Sequence, residues 1–254
     1  MCHEQCQYPV RGGSGIHEER VETPGDDRAI PGFFARPEGD PVPSVLLIPD
    51  IWGANPFYHD VARRLAGEGF AVLLPDLFVR QDPLPEQSRP AVIARKATLD
   101  ETKTLTDIAG ALTWLRGHPA TTSAIGTVGF CMGGTLVMLA AAREPLPEAS
   151  VAFYGFPVRQ TGPLAPINPL TEAEQGAIRS PLLGLWGDQD HGVGMDNVAA
   201  YDTLLTRQGA EHEFEVYPGL PHGFLTFDPD APAYESAQDA WRRALSWLRP
   251  RLSA

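Results

Sequence analysis

The stretch Gly129-Phe130-Cys131-Met132-Gly133-Gly134 decides the fold, because it joins a strand to a helix through a turn that is rich in glycine. The apolar run before it, residues 124–128, predicts a buried strand, and the run after it, residues 135–143, predicts a helix. A Gly-x-Cys-x-Gly turn between a strand and a helix is typical of a nucleophile elbow, which is too tight for side chains beside the nucleophile. We therefore take Cys131 as the candidate nucleophile, at a place where serine is usual.

The position of Cys131 also favours its activation. A thiol attacks well only as a thiolate, and the dipole at a helix N-terminus favours that charged form. A neighbouring histidine would favour it further. The alternative is that Cys131 is inert packing, but the glycines beside it would then have no purpose.

The rest of the chain alternates strand and helix patterns. Strands are predicted at 17–21, 32–36, 44–49, 70–75, 149–154, 181–186 and 212–217, and helices at 60–68, 91–116, 172–176, 196–208 and 234–248. Residues 80–90 predict a loop. This alternation indicates the α/β class, with a mostly parallel sheet covered by helices on both faces. We expect one domain over residues 1–254, with residues 1–15 irregular, and a site at the carboxyl ends of the strands.

The partners of the nucleophile are expected later in the chain, with the acid before the base. His222, in Pro221-His222-Gly223, follows the last predicted strand and is the candidate base. For the acid, Asp190 lies three residues after Gly187 and is preferred to Asp188, for which the alternative role is to cap the turn. Other histidines (His118, His191 and His212) are weaker candidates for the base.

An oxyanion hole requires two backbone N–H donors. Met132, directly after the nucleophile, is the expected first donor. Ile51, in the loop after the 44–49 strand, is the expected second donor, and the alternative is that this segment is an ordinary strand-to-loop turn.

Composition narrows the partners and the compartment. The formal net charge of −12 argues against nucleic acid or an anionic membrane as partner. No apolar run approaches the roughly 20 residues that span a bilayer, and the N-terminus lacks a signal-peptide pattern. A working thiol suits a cytoplasmic location. Cys2, His3 and Cys6 can be interpreted as metal ligands, but no fourth ligand is evident, so we expect a frayed terminus and no metal.

Four blocks together resemble the dienelactone hydrolase family (carboxymethylenebutenolidases) of the α/β-hydrolases. The resemblance runs from about Gly32 to the last helix, and its blocks are Pro49–Gly53, Pro75–Gln81, Gly129–Gly134 and Gly187–His191. It implies the α/β-hydrolase fold and a Cys–His–Asp triad, which falls on Cys131, His222 and Asp190. It also implies an acyl-enzyme intermediate and no metal or organic cofactor.

The resemblance also implies substrate-binding residues. Arg80 matches an arginine that binds the substrate carboxylate in that family. The chain departs from the family in two places: Asp50 stands where a glutamate contacts the resting nucleophile, and Thr226 stands where a second arginine is expected. Asp50 is one methylene shorter than glutamate and is either a contact of the thiol or a turn cap.

Three aromatic side chains are candidates for the pocket wall, with core packing as the equal alternative: Trp52, Tyr154 and Phe224. The favoured function is hydrolysis of a small-molecule ester or lactone. A broad carboxylesterase or thioesterase on the same site is one alternative, and a ligand-binding protein with little turnover is another. The sequence leaves the natural substrate and the oligomeric state open.

Overall fold

Eight strands form one sheet in the part of the chain that the structure describes. The structure is a computed structural model, and it describes residue 9 and residues 15–253, so Cys2, His3 and Cys6 lie outside the described residues. The strands are β1 (Ile16–Thr23), β2 (Ile30–Pro37), β3 (Val42–Ile48), β4 (Ala71–Pro75), β5 (Thr121–Phe130), β6 (Ala149–Phe153), β7 (Leu182–Gly187) and β8 (His212–Tyr217).

The sheet is mostly parallel, as predicted. Its strand order is β1-β2-β4-β3-β5-β6-β7-β8. β4, β3, β5, β6, β7 and β8 pair in parallel, whereas β2 runs antiparallel to both β1 and β4. Every residue of β4, β6 and β7 is buried, which is why these strands appear in the sequence as continuous apolar runs.

Seven helices cover the sheet within residues 15–253: α1 (Pro56–Gly67), α2 (Arg89–Ala97), α3 (Glu101–Gly117), α4 (Met132–Ala140), α5 (Pro169–Glu174), α6 (Met195–Gln208) and α7 (Tyr234–Leu252). None of these helices is sufficiently long and apolar to cross a membrane. The α/β architecture expected from the sequence is therefore confirmed.

The prediction of one helix over 91–116 is wrong, because α2 and α3 are separate helices. α2 ends at Ala97, and the side chain of Asp100 then accepts hydrogen bonds from the backbone N–H groups of Thr102 (3.0 Å) and Lys103 (3.2 Å). An aspartate in this role starts a new helix. The break matters for the site, because Arg95 of α2 donates hydrogen bonds to the loop that follows β3.

The chain order places the site between β3 and β5. From β3 the chain continues to β4 on one side, whereas β5 lies on the other side of β3 and leads on to β6, β7 and β8. Such a switch in direction leaves a crevice outside the carboxyl ends of the two central strands. The loop after β3 and the Cys131 turn after β5 both face this crevice.

Helix α4 begins three residues earlier than predicted, at Met132, so Gly133 and Gly134 lie in its first turn, whereas Gly129 lies at the end of β5. The glycines on both sides of Cys131 allow close packing. A Cβ on Gly133 would lie 2.1 Å from the carbonyl oxygen of Ile48, and one on Gly129 would lie 2.2 Å from that of Gly133. The absence of a side chain at Gly133 therefore lets the start of α4 sit directly against the end of β3.

We predict that Gly133→Ala destabilises the fold by about 3 kcal/mol or more, because backbone must move to admit the methyl group. Gly67→Ala is the matched control, since a Cβ at the end of α1 meets nothing within 4 Å. It should leave the free energy of unfolding unchanged or raise it by up to about 1 kcal/mol. Chemical denaturation of both variants measures this, and equal stabilities would contradict the proposed close approach.

Candidate active site

Cys131 occupies a strained turn at the carboxyl end of β5. Its backbone has φ of 55° and ψ of −113°, a conformation that residues with a side chain rarely adopt. The Cys131 N–H donates to the carbonyl of Phe153 (3.0 Å), and the Cys131 carbonyl accepts from the N–H of Thr135 (3.1 Å). These bonds anchor the turn to β6 on one side and to α4 on the other, so the thiol is held at the N-terminus of α4, where the helix dipole favours a thiolate.

The structure brings Asp190 and His222 together. Oδ2 of Asp190 lies 2.6 Å from Nδ1 of His222, and the carboxylate side chain is fully buried. The other carboxylate oxygen, Oδ1, accepts the N–H of Val193 (3.1 Å). Because both oxygens have partners, the carboxylate is fixed in position and orients the imidazole through its Nδ1 atom.

Asp188 has a different task from Asp190. Its Oδ1 accepts the N–H of Gly219 (2.7 Å) and an N–H from the Gln189 side chain (3.0 Å). It therefore braces the loop that leads from β8 to His222 and does not reach the imidazole itself. The geometry separates the two aspartates that the sequence leaves as alternatives.

One cavity of about 560 Å³ contains the three predicted triad residues. Its wall also includes Ile51 and Met132, the two predicted oxyanion donors. Among residues 15–253, neither the Ile51 N–H nor the Met132 N–H has a hydrogen-bond acceptor. Two unpaired donors beside a nucleophile are what a developing oxyanion requires.

Asp50 lies buried below this loop. Its Oδ1 accepts the N–H of Trp52 (2.8 Å), and its backbone carbonyl accepts the N–H of Gly53 (3.0 Å). The turn-capping role that the sequence offers for Asp50 is therefore present in the structure.

Three predicted pocket residues lie elsewhere. Trp52 lines a neighbouring cavity of about 530 Å³ on the other side of the loop after β3. Tyr154 and Phe224 are buried core residues: the Tyr154 ring stacks edge-on against the rings of His222 (5.1 Å) and Phe224 (5.7 Å). Tyr154 also has a φ of 39°, because the chain turns sharply after β6 beside the nucleophile turn. The Tyr154 ring therefore packs against the imidazole, the Phe224 ring packs against Tyr154, and neither ring lines the cavity that holds Cys131.

Arg80 is absent from the wall of the cavity, contrary to the expectation that it binds the substrate carboxylate. Its guanidinium donates to both oxygens of the buried Asp107 (2.5 and 2.9 Å) and to Asp27 (2.7 Å). The hydrogen bonds to Asp107, followed by that to Asp27, raise the pKa of Arg80. The block around Arg80 could not reveal this, because its partners lie far away in the sequence.

The cavity wall carries three other basic side chains that sequence reasoning missed: Arg89, Lys96 and Arg159. Arg159 forms a two-pronged ion pair with the buried Glu101, and Lys96 lies 3.5 Å from the same carboxylate. Arg89 and Lys96 belong to α2, whereas the sequence pattern predicts a loop at Arg89 and one continuous helix through Lys96. Recognising Asp100 as a helix start would have set α2 apart, but no motif marks these cations as part of a site.

The described residues 15–253 contain no group of three or more His, Cys, Asp or Glu side chains that could hold a metal ion. The expectation of no metal or organic cofactor stays a prediction. The wall of the cavity offers the elements of acyl transfer, namely a thiol, an oriented imidazole and two unpaired N–H donors.

Comparison with known proteins shows which family the chain belongs to. The model of the dienelactone hydrolase family matches residues 30–252, which is most of the chain. The chain belongs to the dienelactone hydrolase family. The resemblance seen in the sequence is thereby confirmed, and the chain is a hydrolase with the α/β-hydrolase fold.

Similar proteins align over nearly their whole length. The carboxymethylenebutenolidase of Rhodococcus opacus is 29% identical over 250 residues, covering 98% of this chain and 96% of that protein. A Bradyrhizobium protein named "Probable 2-oxo-3-(5-oxofuran-2-ylidene)propanoate lactonase" is 34% identical over 233 residues. The alignment covers 90% of this chain and 92% of that protein. The crystal structure of "Putative Dienelactone Hydrolase from Klebsiella pneumoniae subsp. pneumoniae MGH 78578" superposes with a TM-score of 0.83 at 29% sequence identity. The superposition covers 93% of this chain and 99% of that chain.

We predict that Asp190→Asn lowers kcat for ester hydrolysis by about 10³- to 10⁴-fold, because the amide can neither hold the correct imidazole tautomer nor stabilise its charge. Asp188→Asn is the matched control, since it alters only a brace of the loop, and its kcat should fall by less than about tenfold. Steady-state rates for the two variants measure this difference. A larger loss in Asp188→Asn would exchange their assigned roles.

Proposed function

We propose that this hydrolase opens a lactone or cleaves an ester through a covalent thioester on Cys131. The observation that carries the proposal is the 2.6 Å contact between Asp190 and His222 in the same cavity as the Cys131 turn. Nucleophilic acyl transfer requires a nucleophile, a base and a group that orients the base. Here these are a thiol at a helix N-terminus, an imidazole, and a buried carboxylate whose two oxygens both accept hydrogen bonds.

The reaction takes two steps. His222 takes the thiol proton, and the Cys131 sulfur attacks the carbonyl carbon of the substrate. The carbonyl oxygen becomes negative and accepts hydrogen bonds from the N–H groups of Ile51 and Met132. The intermediate collapses, the bond between the carbonyl carbon and the ester oxygen breaks, and His222 returns the proton to that oxygen. In a lactone the freed oxygen stays attached to the acyl group.

Water completes the second step. His222 removes a proton from a water molecule, the hydroxide attacks the thioester carbon, and the sulfur leaves and recovers a proton from the imidazolium. The product is a carboxylic acid with the hydroxyl or enol that the ring opening released. In both steps Asp190 stabilises the positive charge on His222 without taking its proton.

The charge of the cavity supports an anionic substrate. Arg89, Lys96 and Arg159 line its wall, and Glu101 is the carboxylate that pairs with two of them. In a protein of formal net charge −12, a basic wall beside the nucleophile concentrates anions there. The Bradyrhizobium relative is named for a lactone with a propanoate group, which agrees with this polarity.

Within the wall, Arg89 and Lys96 are the side chains best placed to meet a carboxylate. Both terminal nitrogens of Arg159 donate hydrogen bonds to Glu101, and one of them also donates to the carbonyl of Ile167 (2.7 Å). Arg89 is exposed, and Lys96 is half-buried with a single ion-pair partner at 3.5 Å. We therefore assign carboxylate recognition to α2, in place of Arg80.

The nucleophile assignment predicts that Cys131→Ala loses hydrolysis of p-nitrophenyl acetate and of dienelactone to the background rate, because alanine at the turn has no sulfur to form the thioester. The fold should persist, since alanine fits wherever cysteine does, and circular dichroism checks this. Retained turnover in a folded Cys131→Ala variant would remove Cys131 from the mechanism.

The assignment of α2 predicts that Lys96→Met raises KM for dienelactone, an anionic lactone, by about five- to tenfold, or about 1 kcal/mol of binding. KM for the neutral p-nitrophenyl acetate should stay within about twofold. Arg89→Met should behave in the same way, because both changes remove one positive charge from the wall.

Lys103→Met is the matched control, because Lys103 is the only other lysine and pairs with Asp27, outside the cavity. Its KM for both substrates should equal that of the wild type. Equal changes for the anionic and the neutral substrate in Lys96→Met would contradict a role in recognising charge.

A further inference from the structure

In the loop after β3, both polar atoms of two consecutive peptide groups have hydrogen-bond partners. In the Ile51–Trp52 peptide, the N–H donates to Oδ1 of Asp50 (2.8 Å) and the carbonyl accepts from Nη2 of Arg95 (3.2 Å). In the Trp52–Gly53 peptide, the N–H donates to the Asp50 carbonyl (3.0 Å), and the carbonyl accepts from the same Arg95 nitrogen (3.2 Å). Asp50 thus accepts both N–H groups and Arg95 donates to both carbonyls, so each peptide plane is held at its two polar atoms.

Within residues 15–253 the Ile51 N–H of this loop has no hydrogen-bond acceptor, whereas the N–H groups of Trp52 and Gly53 are both bonded to Asp50. Its direction depends on the two peptide planes that follow it, because rotation of the Ile51–Trp52 plane carries the neighbouring backbone with it. Fixing those planes therefore fixes where the Ile51 N–H points.

Arg95 is built to be rigid. It extends from the last turn of α2, and its guanidinium carbon lies 4.1 Å from the centre of the Phe78 ring. Its Nε is buried and has no hydrogen-bond partner among residues 15–253. Burial lowers the pKa of Arg95, and the charge of Asp76 opposes that effect. A desolvated cation stacked on an aromatic face donates stronger hydrogen bonds than a hydrated one.

We infer that Arg95 is a positioning residue for the oxyanion hole, which clamps the 51–53 backbone so that the Ile51 N–H meets the developing negative oxygen. The inference rests on the proposed function. Arg95 lines the neighbouring cavity and not the cavity that holds Cys131, so it acts through the backbone and does not touch the substrate.

The planar fork explains why arginine occupies this position. A guanidinium can lie flat on Phe78 and still direct an in-plane N–H at two carbonyl oxygens. A lysine ammonium has neither the plane nor the reach to satisfy both requirements together. The contact also connects α2, which carries Arg89 and Lys96, to the loop beside the nucleophile.

The test compares Arg95→Met with the wild type on p-nitrophenyl acetate. Methionine keeps apolar contact with Phe78 but donates no hydrogen bond. We expect kcat to fall about 10- to 100-fold, less than the loss of a whole oxyanion donor, with KM within about threefold. Binding of phenylacetaldehyde, whose adduct with Cys131 places a tetrahedral oxygen in the hole, should weaken by a similar factor.

Chemical rescue separates a positional role from a loss of stability. Millimolar guanidinium chloride, far below denaturing concentrations, should restore part of kcat in Arg95→Met and leave the wild type unchanged. If Arg95→Met does not fold, Arg95→Lys takes its place, with an expected kcat loss of about three- to tenfold and the same weakening of aldehyde binding.

Arg251→Met is the matched control. Arg251 also stacks on an aromatic ring, that of Trp247 at 3.5 Å, and also donates to a backbone carbonyl, but it lies on α7 outside the catalytic cavity. It should keep the wild-type kcat. An Arg95 variant that folds with wild-type kcat and aldehyde affinity would overturn the inference. Absence of ester hydrolysis in the wild type and in Arg251→Met alike would instead overturn the proposed function.

Discussion

The close contact between the start of α4 and the end of β3 is the constraint on which the rest of the site depends. Gly133 packs against the Ile48 carbonyl at a distance that no side chain permits. This contact sets the nucleophile turn directly beside the loop that carries Ile51. The strained backbone of Cys131 follows from the same arrangement, because the chain must reverse from β5 into α4 within one residue. A looser junction would relieve the strain and separate the thiol from the second N–H donor.

Much of this arrangement could be predicted from local sequence. Continuous apolar runs marked the buried parallel strands, and glycine spacing marked the turn around Cys131. The strand ends then placed Asp190 and His222 at the edge of the sheet where the structure brings them into contact. These features are local or follow from strand order, so a single sequence contains them.

The errors share a physical cause, which is that side-chain partners distant in sequence decide the outcome. Arg80 is held by Asp27 and Asp107, and nothing near Arg80 reveals those ion pairs. Tyr154 packs against His222, and Phe224 packs against Tyr154, although the two aromatic residues lie far apart in the sequence. The predictions of a loop over 80–90 and of one helix over 91–116 hid α2, and with it Arg89 and Lys96. The basic wall that supports an anionic substrate therefore became visible only in three dimensions.

The central claim is that the reaction passes through a thioester on Cys131, and rapid quenching with mass spectrometry tests it most directly. The enzyme is mixed with p-nitrophenyl acetate, quenched in acid within milliseconds, digested and mapped. The account predicts one acetyl group on the peptide that contains Cys131 while product is forming, and loss of that group as the substrate is exhausted. Product formation with no acetyl group on Cys131 at any time would contradict it.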